Sequence, residues 1–254
     1  MGSESIILKT SSEIESLRKS NLVVAEILQK LKAEVAPGIT TMDLEKRCEE
    51  ELKKVSGARP AFKGYRGFPA CLCTSVNEEV VHGMPSDKKT LNSGDILSVD
   101  FGVELDGFYG DSAFTIKVGD ITAETEKLVA VTEESLNKAI DAARVGNRLH
   151  DISHAVQGYV EAEGFSVVRA FVGHGIGREL HEAPQVPNFG KPGTGVRLKE
   201  GMVLAIEPMI SVGTWDIKVL KDGWTAVTSD GKMSAHFEHS VAITKDGPYV
   251  LSRL

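Results

Sequence analysis

Residues 96–116 read ILSVDFGVELDGFYGDSAFTI, an apolar stretch that contains a turn signal and two acidic residues outside the turn. The dipeptide Asp106-Gly107 is typical of a two-residue β-turn, so the stretch predicts an antiparallel hairpin. Asp100 and Asp111 then lie within its strands, where carboxylates are rare unless something binds them. The hairpin therefore raises the question of what these two side chains hold.

The register of the predicted hairpin places the two carboxylates together. With Leu105 opposite Phe108, Asp100 and Asp111 share one face and are diagonal neighbours, about 7–8 Å apart at the backbone. Two carboxylates at such close range repel each other, and one would hold a proton unless a cation were bound. The other face is an apolar core face, formed by Val99, Phe101, Val103, Leu105, Phe108 and Phe114.

Three further segments each place candidate ligands among apolar or glycine residues. They are FVGHGIGRELHE (171–182) with His174 and His181, MVLAIEPMI (202–210) with Glu207 inside an apolar strand, and SAHFEHSVAIT (234–244) with Glu238, which shares a face with His236. Two Asp, two Glu and one His make an oxygen-rich set that suits Mn, Fe, Co or Zn. Because four carboxylates carry about −4, two divalent ions would balance them, and such a pair activates water for hydrolysis.

The rest of the chain predicts helices around this sheet. Helical periodicity and end signals predict helices over residues 13–35, 42–55, 122–143 and 149–163, and strands over 68–83 with a turn near Asn77. A weak repeat relates residues 36–57 to 144–164. It predicts two similar halves that place helices on one side of a sheet and share one core.

The composition is that of an ordinary globular protein. The 254 residues are 41% apolar and 26% charged, with a formal net charge of −7. No basic block is present, so we expect neither nucleic-acid binding nor attraction to an anionic membrane. No stretch approaches the roughly 20 apolar residues of a membrane span. The three cysteines (Cys48, Cys71 and Cys73) do not form a disulfide framework, so we expect a soluble protein of a reducing, cytoplasmic compartment.

Other hydrolytic and redox motifs are missing from the sequence. His181-Glu182 does not continue to H-E-x-x-H, the glycines of GHGIG do not complete a dinucleotide fingerprint, and no G-x-S-x-G elbow occurs. The carboxylate set stays as the strongest chemical signal in the chain.

Five motifs together resemble one metallopeptidase family. They are VDFG, GDSAFT, GHGIGRELHEAPQVPNFG, LAIEPM and WTAVTSDGKMSAHFEHS. In this combination the chain is similar to the type I methionine aminopeptidases over residues 12–252. The resemblance implies an α+β pita-bread fold, a pseudo-two-fold antiparallel sheet whose outer face is covered by helices. It also implies a single catalytic domain over 12–254, after a flexible N-terminus over 1–11.

The resemblance further implies the roles of individual residues. Asp100, Asp111, His174, Glu207 and Glu238 match the metal ligands, with Asp111 and Glu238 bridging two ions and a bridging hydroxide attacking the first peptide carbonyl. Glu207 also matches a proton-transfer position. His181 would stabilise the carbonyl oxygen, and His82 would contact the scissile nitrogen or its neighbour. Tyr65, Cys73 and Trp224 match the methionine pocket, with Phe62, Phe68 and Leu180 as neighbours that vary among relatives.

The implied activity is removal of the initiator methionine from nascent proteins whose second residue is small. The expected cofactor is two divalent ions of Co, Mn, Fe or Zn, and the expected partner is the N-terminus of a nascent polypeptide. Transient contact with the ribosome is compatible with that role. We expect no nucleic-acid or membrane partner, and a monomer.

Two alternatives stay open from the sequence. One is a proline-specific peptidase of the same fold, although such relatives usually carry a large N-terminal domain and a different run after GHG. The other is a pita-bread protein that has lost catalysis and binds a partner, which the presence of all five ligands argues against.

Overall fold

The hairpin predicted at residues 96–116 is present in the computed structural model, which describes residues 5–254. Strand β4 (Ile96–Leu105) pairs with β5 (Phe108–Lys117), and Asp100 lies opposite Ala113, as the register predicts. Asp106 and Gly107 have φ values of 52° and 79°. This left-handed backbone is what a two-residue hairpin turn requires, and Asn, Asp and Gly tolerate it best. The predicted hairpin and its register are confirmed.

Residues 5–254 form four α-helices, fifteen strands and one short 3-10 helix (Tyr65–Gly67). The helices are α1 (Ser11–Glu34), α2 (Thr41–Leu52), α3 (Ala123–Ala142) and α4 (Leu149–Ala162). The strands before the long hairpin are β1 (Arg59–Pro60), β2 (Leu72–Val76) and β3 (Glu79–Val81). Those after it are β6 (Ser166–Val167), β7 (Gly173–Gly175), β8 (Glu182–Val186), β9 (Val203–Ile206), β10 (Met209–Ser211), β11 (Ile217–Val219), β12 (Ala226–Thr228), β13 (Ser234–His236), β14 (Glu238–Thr244) and β15 (Gly247–Val250).

One antiparallel sheet forms the centre of the molecule. Its strand order is β1-β4-β5-β14-β9-β7-β8, with β2 added to β4 and β15 added to β14. The two halves of the sheet meet where β5 pairs with β14, through Ala113 opposite Glu238 and Ser112 opposite His239. This central pairing joins a strand from each half of the chain.

Helices cover the face of the sheet that lies away from Asp100 and Asp111. The first half buries Val99 and Phe101 of β4 against α1 and α2 in one apolar cluster. The second half buries Leu204 of β9 against α3 and α4 in another. The predicted layout, two similar halves with helices on one side, is confirmed, and the class is α+β.

The helices begin close to the predicted positions. Thr122 caps α3 as predicted, since its side chain accepts the Thr125 N–H at 3.2 Å. Helix α1 begins earlier than predicted because Thr10 forms a capping box with Glu13. The predicted boundary at residue 11 stays a prediction, and residues 1–4 lie outside the described part of the chain. Within the predicted flexible segment, Lys9 is buried.

One local prediction is wrong. Glu207 does not lie inside a strand, because β9 ends at Ile206 and β10 begins at Met209. Pro208 explains the break, since proline has no N–H to donate to a sheet ladder and is confined to strand ends and edges. The interruption leaves Glu207 at the end of β9.

Candidate active site

Three neighbouring strands bring three carboxylates to the inner face of the sheet. Asp100 lies on β4, Asp111 on β5 and Glu238 at the start of β14. Glu238 is opposite Ala113, which is two residues from Asp111 and therefore on the same face. The pairing of β5 with β14 therefore completes this cluster of three carboxylates.

The second half of the chain adds a histidine and a fourth carboxylate. One ligand atom each from Asp111, His174 and Glu238 lie within 4.8 Å of one another. His174 Nε2 is 3.6 Å from Glu207 Oε1. His174 Nδ1 is 2.9 Å from the carbonyl oxygen of Gly175, which can only accept, so Nδ1 carries the proton. This leaves the Nε2 lone pair directed at the carboxylates.

The carboxylates are buried without the partners that buried charges need. Asp100 Oδ1, Asp111 Oδ1 and Glu238 Oε1 have no hydrogen-bond partner among the described residues. Burial raises the pKa of Asp100 to about 7. Burial, reinforced by the neighbouring carboxylates, holds the pKa values of Asp111, Glu207 and Glu238 well above their ordinary range. A bound cation would relieve both the desolvation of these four carboxylates and the repulsion between them.

The histidines of the site are neutral at physiological pH. Burial lowers the pKa of His174 to about 4. Burial, together with the nearby His174, lowers the pKa of His181 to about 3. Burial also lowers the pKa of His82. Each neutral imidazole offers one donor and one acceptor nitrogen, as ligand binding and hydrogen bonding to substrate both require.

A cavity of about 160 Å³ adjoins the carboxylates. Its walls contain all five residues that were predicted to contact substrate, and the three neighbours named with them. The lining residues are Phe62, Tyr65, Arg66, Phe68, Cys73, His82, Asp100, Asp111, Leu180, His181, Glu207, Trp224 and Glu238. The structure therefore brings the predicted pocket and four of the five predicted ligands to one cavity, with His174 buried behind it.

Local contacts hold the pocket walls. Tyr65 stacks on His181 with ring centroids 5.2 Å apart, and its hydroxyl is 3.0 Å from His181 Nδ1. Phe68 meets Trp224 edge-on, also at 5.2 Å. Cys73 lies opposite Asp100 in the β2–β4 pairing. This pairing holds the floor of the pocket beside the carboxylate cluster. These contacts make one continuous surface from the apolar wall to the carboxylates.

Four further residues around the site have no role predicted from the sequence. Arg66 lines the cavity with a left-handed φ of 49°, and Phe171 meets His82 edge-on at 5.2 Å. Asn188 Nδ2 donates to the Glu207 carbonyl at 2.9 Å. His236 Nε2 is buried, has no partner among residues 5–254, and lies 3.7 Å from Glu207 Oε2. Only His236 had a signal in the sequence, its shared face with Glu238.

Comparisons with known proteins show the family to which the chain belongs. The sequence profile of Metallopeptidase family M24 matches residues 15–245. A methionine aminopeptidase of Clostridium perfringens is 56% identical over 247 residues, covering 97% of this chain and 98% of that protein. Methionine aminopeptidase 1 of Bacillus subtilis is 52% identical over 249 residues, covering 98% of this chain and 100% of that protein. The chain belongs to the methionine aminopeptidases of metallopeptidase family M24.

The fold matches that of a solved methionine aminopeptidase. The crystal structure of the enzyme from Thermotoga maritima is 50% identical, superposes with a TM-score of 0.97, and covers 98% of this chain and 100% of that chain. The predicted pita-bread fold and family resemblance are thereby confirmed. None of the helices within residues 5–254 combines the length and the apolarity that crossing a membrane would need.

Membership of a metallopeptidase family implies a divalent metal ion, and the residues present fit one. Asp100 Oδ1, Asp111 Oδ1 and Glu238 Oε1 are buried without a partner in the described part of the chain, and His174 directs an unprotonated nitrogen at this cluster. Oxygen ligands with one imidazole suit a divalent transition metal, and no thiolate is required. The inner face of the sheet is therefore the candidate metal centre of this methionine aminopeptidase.

Proposed function

We propose that the chain removes the initiator methionine from nascent polypeptides whose second residue is small, and that its site residues divide into ligands and substrate contacts. The ligands are Asp100, Asp111, His174, Glu207 and Glu238, and the substrate contacts are Tyr65, Cys73, His82, His181 and Trp224. One observation carries the assignment: three buried carboxylate oxygens without a partner in the described chain adjoin an apolar cavity.

Two ions, of Co, Mn, Fe or Zn, fit the site better than one. Four carboxylates carry about −4, which two divalent ions balance. Along the sheet the carboxylates follow the order Asp100, Asp111, Glu238 and Glu207, from β4 to the end of β9. The central position of Asp111 and Glu238 supports their assignment as the shared ligands. When bound, such ions polarise a peptide carbonyl and lower the pKa of a water molecule so that it attacks at neutral pH.

His181 is suited to the carbonyl oxygen of the substrate. Its low pKa keeps the imidazole neutral, and the Tyr65 hydroxyl can donate to Nδ1 across 3.0 Å. With the hydroxyl as donor, the proton of the neutral imidazole lies on Nε2, which is then the donor for an oxygen that gains negative charge. We assign this tautomer to His181, and the stacked Tyr65 ring fixes the orientation of the imidazole.

His82 and Glu207 are suited to the nitrogen of the scissile bond. His82 has a left-handed φ of 59°, an uncommon backbone for a side chain of its size, and its ring is fixed against Phe171. We assign it a hydrogen bond to the scissile nitrogen or the next amide. Glu207, whose pKa is raised by burial and by the charges of Asp100 and Asp111, is suited to take a proton and deliver it to the departing amine.

The apolar wall explains selection of methionine. Phe62, Phe68, Leu180 and Trp224 surround a cavity of about 160 Å³, and the Cys73 thiol, kept protonated by a raised pKa, adds a small polarisable surface. A flexible thioether fits such a slot, while a charged side chain would lose its hydration there. A pocket that ends at the metal centre also favours cleavage of the first peptide bond only.

Three sequence predictions stay predictions: a monomeric state, transient contact with the ribosome and a cytoplasmic location.

The experiment for the activity uses metal-stripped protein restored with Co, Mn, Fe or Zn, with Met-Gly and Xaa-Pro peptides as substrates. We expect release of methionine from Met-Gly peptides only, dependent on metal and lost in Asp100→Asn. Cleavage of Xaa-Pro peptides would instead indicate the proline-specific alternative, and titration of bound metal at saturation gives the number of ions.

A further inference from the structure

A buried ion pair joins the N-terminal segment to the residue that follows His181. Lys9 Nζ donates to Glu182 Oε2, and only 4% and 6% of the two side chains are exposed. The surface pair of Lys46 with Asp87 leaves 60% and 71% exposed. Because desolvation offsets the attraction within a buried pair, such a pair is weak evidence of added stability, and its best-attested use is to fix one arrangement of the chain.

The Glu182 carboxylate closes the turn that precedes it in the chain. Its Oε1 accepts the N–H of Arg178 at 2.8 Å and that of Glu179 at 3.4 Å. A Cβ atom on Gly177 would lie 2.2 Å from Glu182 Oε1 and 2.6 Å from Lys9 Cε. The turn formed by residues 177–182 therefore packs directly on the ion pair, and any movement of Glu182 changes the turn.

The Lys9 backbone is held by the turn that leads into β9. Its backbone N–H donates to the Gly201 carbonyl at 2.7 Å, and its Nζ also donates to the Ile7 carbonyl at 3.0 Å. Gly201 has a φ of 87°, and a Cβ there would meet the Lys9 carbonyl at 2.7 Å, so this contact requires glycine. Gly201 leads into β9, which ends beside Glu207. The N-terminal segment thus connects two segments that carry site residues.

The far end of the 177–182 turn carries side chains of the site. Leu180 is buried in the pocket wall, and the His181 ring lies 4.2 Å from the His174 ring. Small displacements of a group that contacts substrate are costly, since about 1 Å can reduce a rate by about 10²-fold. The orientation of His181 therefore depends on the turn that Glu182 closes.

We propose that Lys9 is a positioning residue for His181. Lys9 neutralises the buried Glu182, and the carboxylate so held keeps the 177–182 turn in the form that directs His181 at the substrate. The inference rests on the role of His181 under the proposed function. Lys9 acts through Glu182 and not on the substrate, so its effect should appear in kcat and in the mobility of the turn.

The test compares Lys9→Met with two double variants. In Lys9→Met the buried Glu182 charge has lost its cationic partner, so we expect the carboxylate to turn to water and release the turn. We expect kcat on a Met-Ala peptide to fall at least about tenfold, with KM changed by less than about threefold. Hydrogen exchange of the Arg178 and Glu179 amides, measured on metal-free protein, should accelerate at least about tenfold.

The double variants separate turn closure from charge burial. Lys9→Met/Glu182→Gln removes both charges but keeps a carbonyl oxygen for the turn, so kcat and exchange should return to within about threefold of the parent. Lys9→Met/Glu182→Ala removes both charges and the acceptor, so it should stay impaired. This pair keeps the inference testable even where Lys9→Met alone does not fold.

Two further variants define the outcomes. Lys46→Met, which breaks the exposed pair, should match the parent in every readout. A Lys9→Met enzyme with lower thermal stability but unchanged kcat and unchanged exchange would make Lys9 structural only and overturn the inference. Full activity of His181→Ala would remove the proposed role of His181, and the inference with it. An inactive His181→Ala beside a fully active Lys9→Met would overturn the inference alone.

Discussion

One face of the β4–β5 hairpin packs on helix α1, and the other carries two of the proposed metal ligands. On the outer face Val99 and Phe101 are fully buried among apolar side chains. On the inner face Ser98 and Thr115 lie opposite each other and share a hydrogen bond of 2.8 Å. Asp100 is the next residue on that face, and its Oδ1 has no partner among residues 5–254.

The hairpin thus contains two kinds of buried group: those that stabilise the fold and those that are available to bind a ligand. Within the same two strands, apolar side chains and the Ser98–Thr115 pair are satisfied by the protein itself. Asp100 Oδ1 and Asp111 Oδ1 have no hydrogen-bond partner among residues 5–254, and burial raises the pKa values of both carboxyls. Substitutions on the outer face should therefore reduce stability, while substitutions of the inner-face carboxylates should reduce activity without that loss.

The largest expected effect is on activity at the inner face. Asp111→Asn should lower kcat/KM on a Met-Gly peptide by about 10³-fold or more, because metal-ion catalysis supplies several kcal/mol of transition-state stabilisation. The same variant without metal should unfold at a higher temperature than the metal-free parent at pH 7.5, since one buried carboxyl with a raised pKa is gone. Peptide assays and thermal melts in EDTA measure the two quantities. A metal-free variant that is less stable than the parent would contradict the comparison.

The outer face should show the opposite pattern. Phe101→Ala leaves a cavity in a fully buried cluster and should lower the free energy of unfolding by about 3–5 kcal/mol. Its kcat per folded molecule should stay within about threefold of the parent, because the inner face is unchanged. Urea denaturation with metal present gives the stability, and Phe101→Leu serves as the control with a cost below about 1.5 kcal/mol. Loss of activity without loss of stability would refute the assignment of this face.

The pH dependence of the metal-free protein sharpens the contrast. The pKa of Asp100 is about 7 in the folded chain, above the ordinary value of about 3.9 expected on unfolding. Between these values the folded state binds more protons, so the free energy of unfolding falls as pH rises, by an amount on the order of a few kcal/mol. Thermal melts in EDTA at pH 5, 6, 7 and 8 measure this. Asp100→Asn should show a smaller fall, and metal should stabilise the parent more at pH 8 than at pH 5.

The smallest expected effect comes from adding a methyl group to the inner face at Gly102. A Cβ on Gly102 would lie 2.8 Å from Phe62 Cε1 and 2.9 Å from Ala61 Cβ. Gly102→Ala should push the Phe62 ring into the methionine pocket and raise KM about tenfold, with kcat changed less. Gly158→Ala on α4 is the matched control, since its nearest neighbour would be 3.6 Å away. Equal KM values in the two variants would contradict this prediction, because they would show that the Phe62 ring moves without narrowing the methionine pocket.

Much of the site could be predicted because its signals are local. The Asp106-Gly107 turn fixes the register of one hairpin, and side-chain alternation then places Asp100 and Asp111 on one face. The error at Glu207 was also local, since Pro208 marks the strand break in the sequence. The predicted start of helix α1 at residue 13 is two residues late, because Thr10 caps the helix and lets it begin at Ser11.

Local sequence signals were enough to predict the hairpin, the residue types available as ligands and, through the motifs, the family. How the two halves meet is a property of the folded chain alone, because the β5–β14 pairing joins segments far apart in the chain and has no local signal. The same long-range closure put Arg66 in the cavity and His236 beside Glu207. It also buried Lys9 against Glu182, 173 positions away, an ion pair that exists only once the sheet has closed.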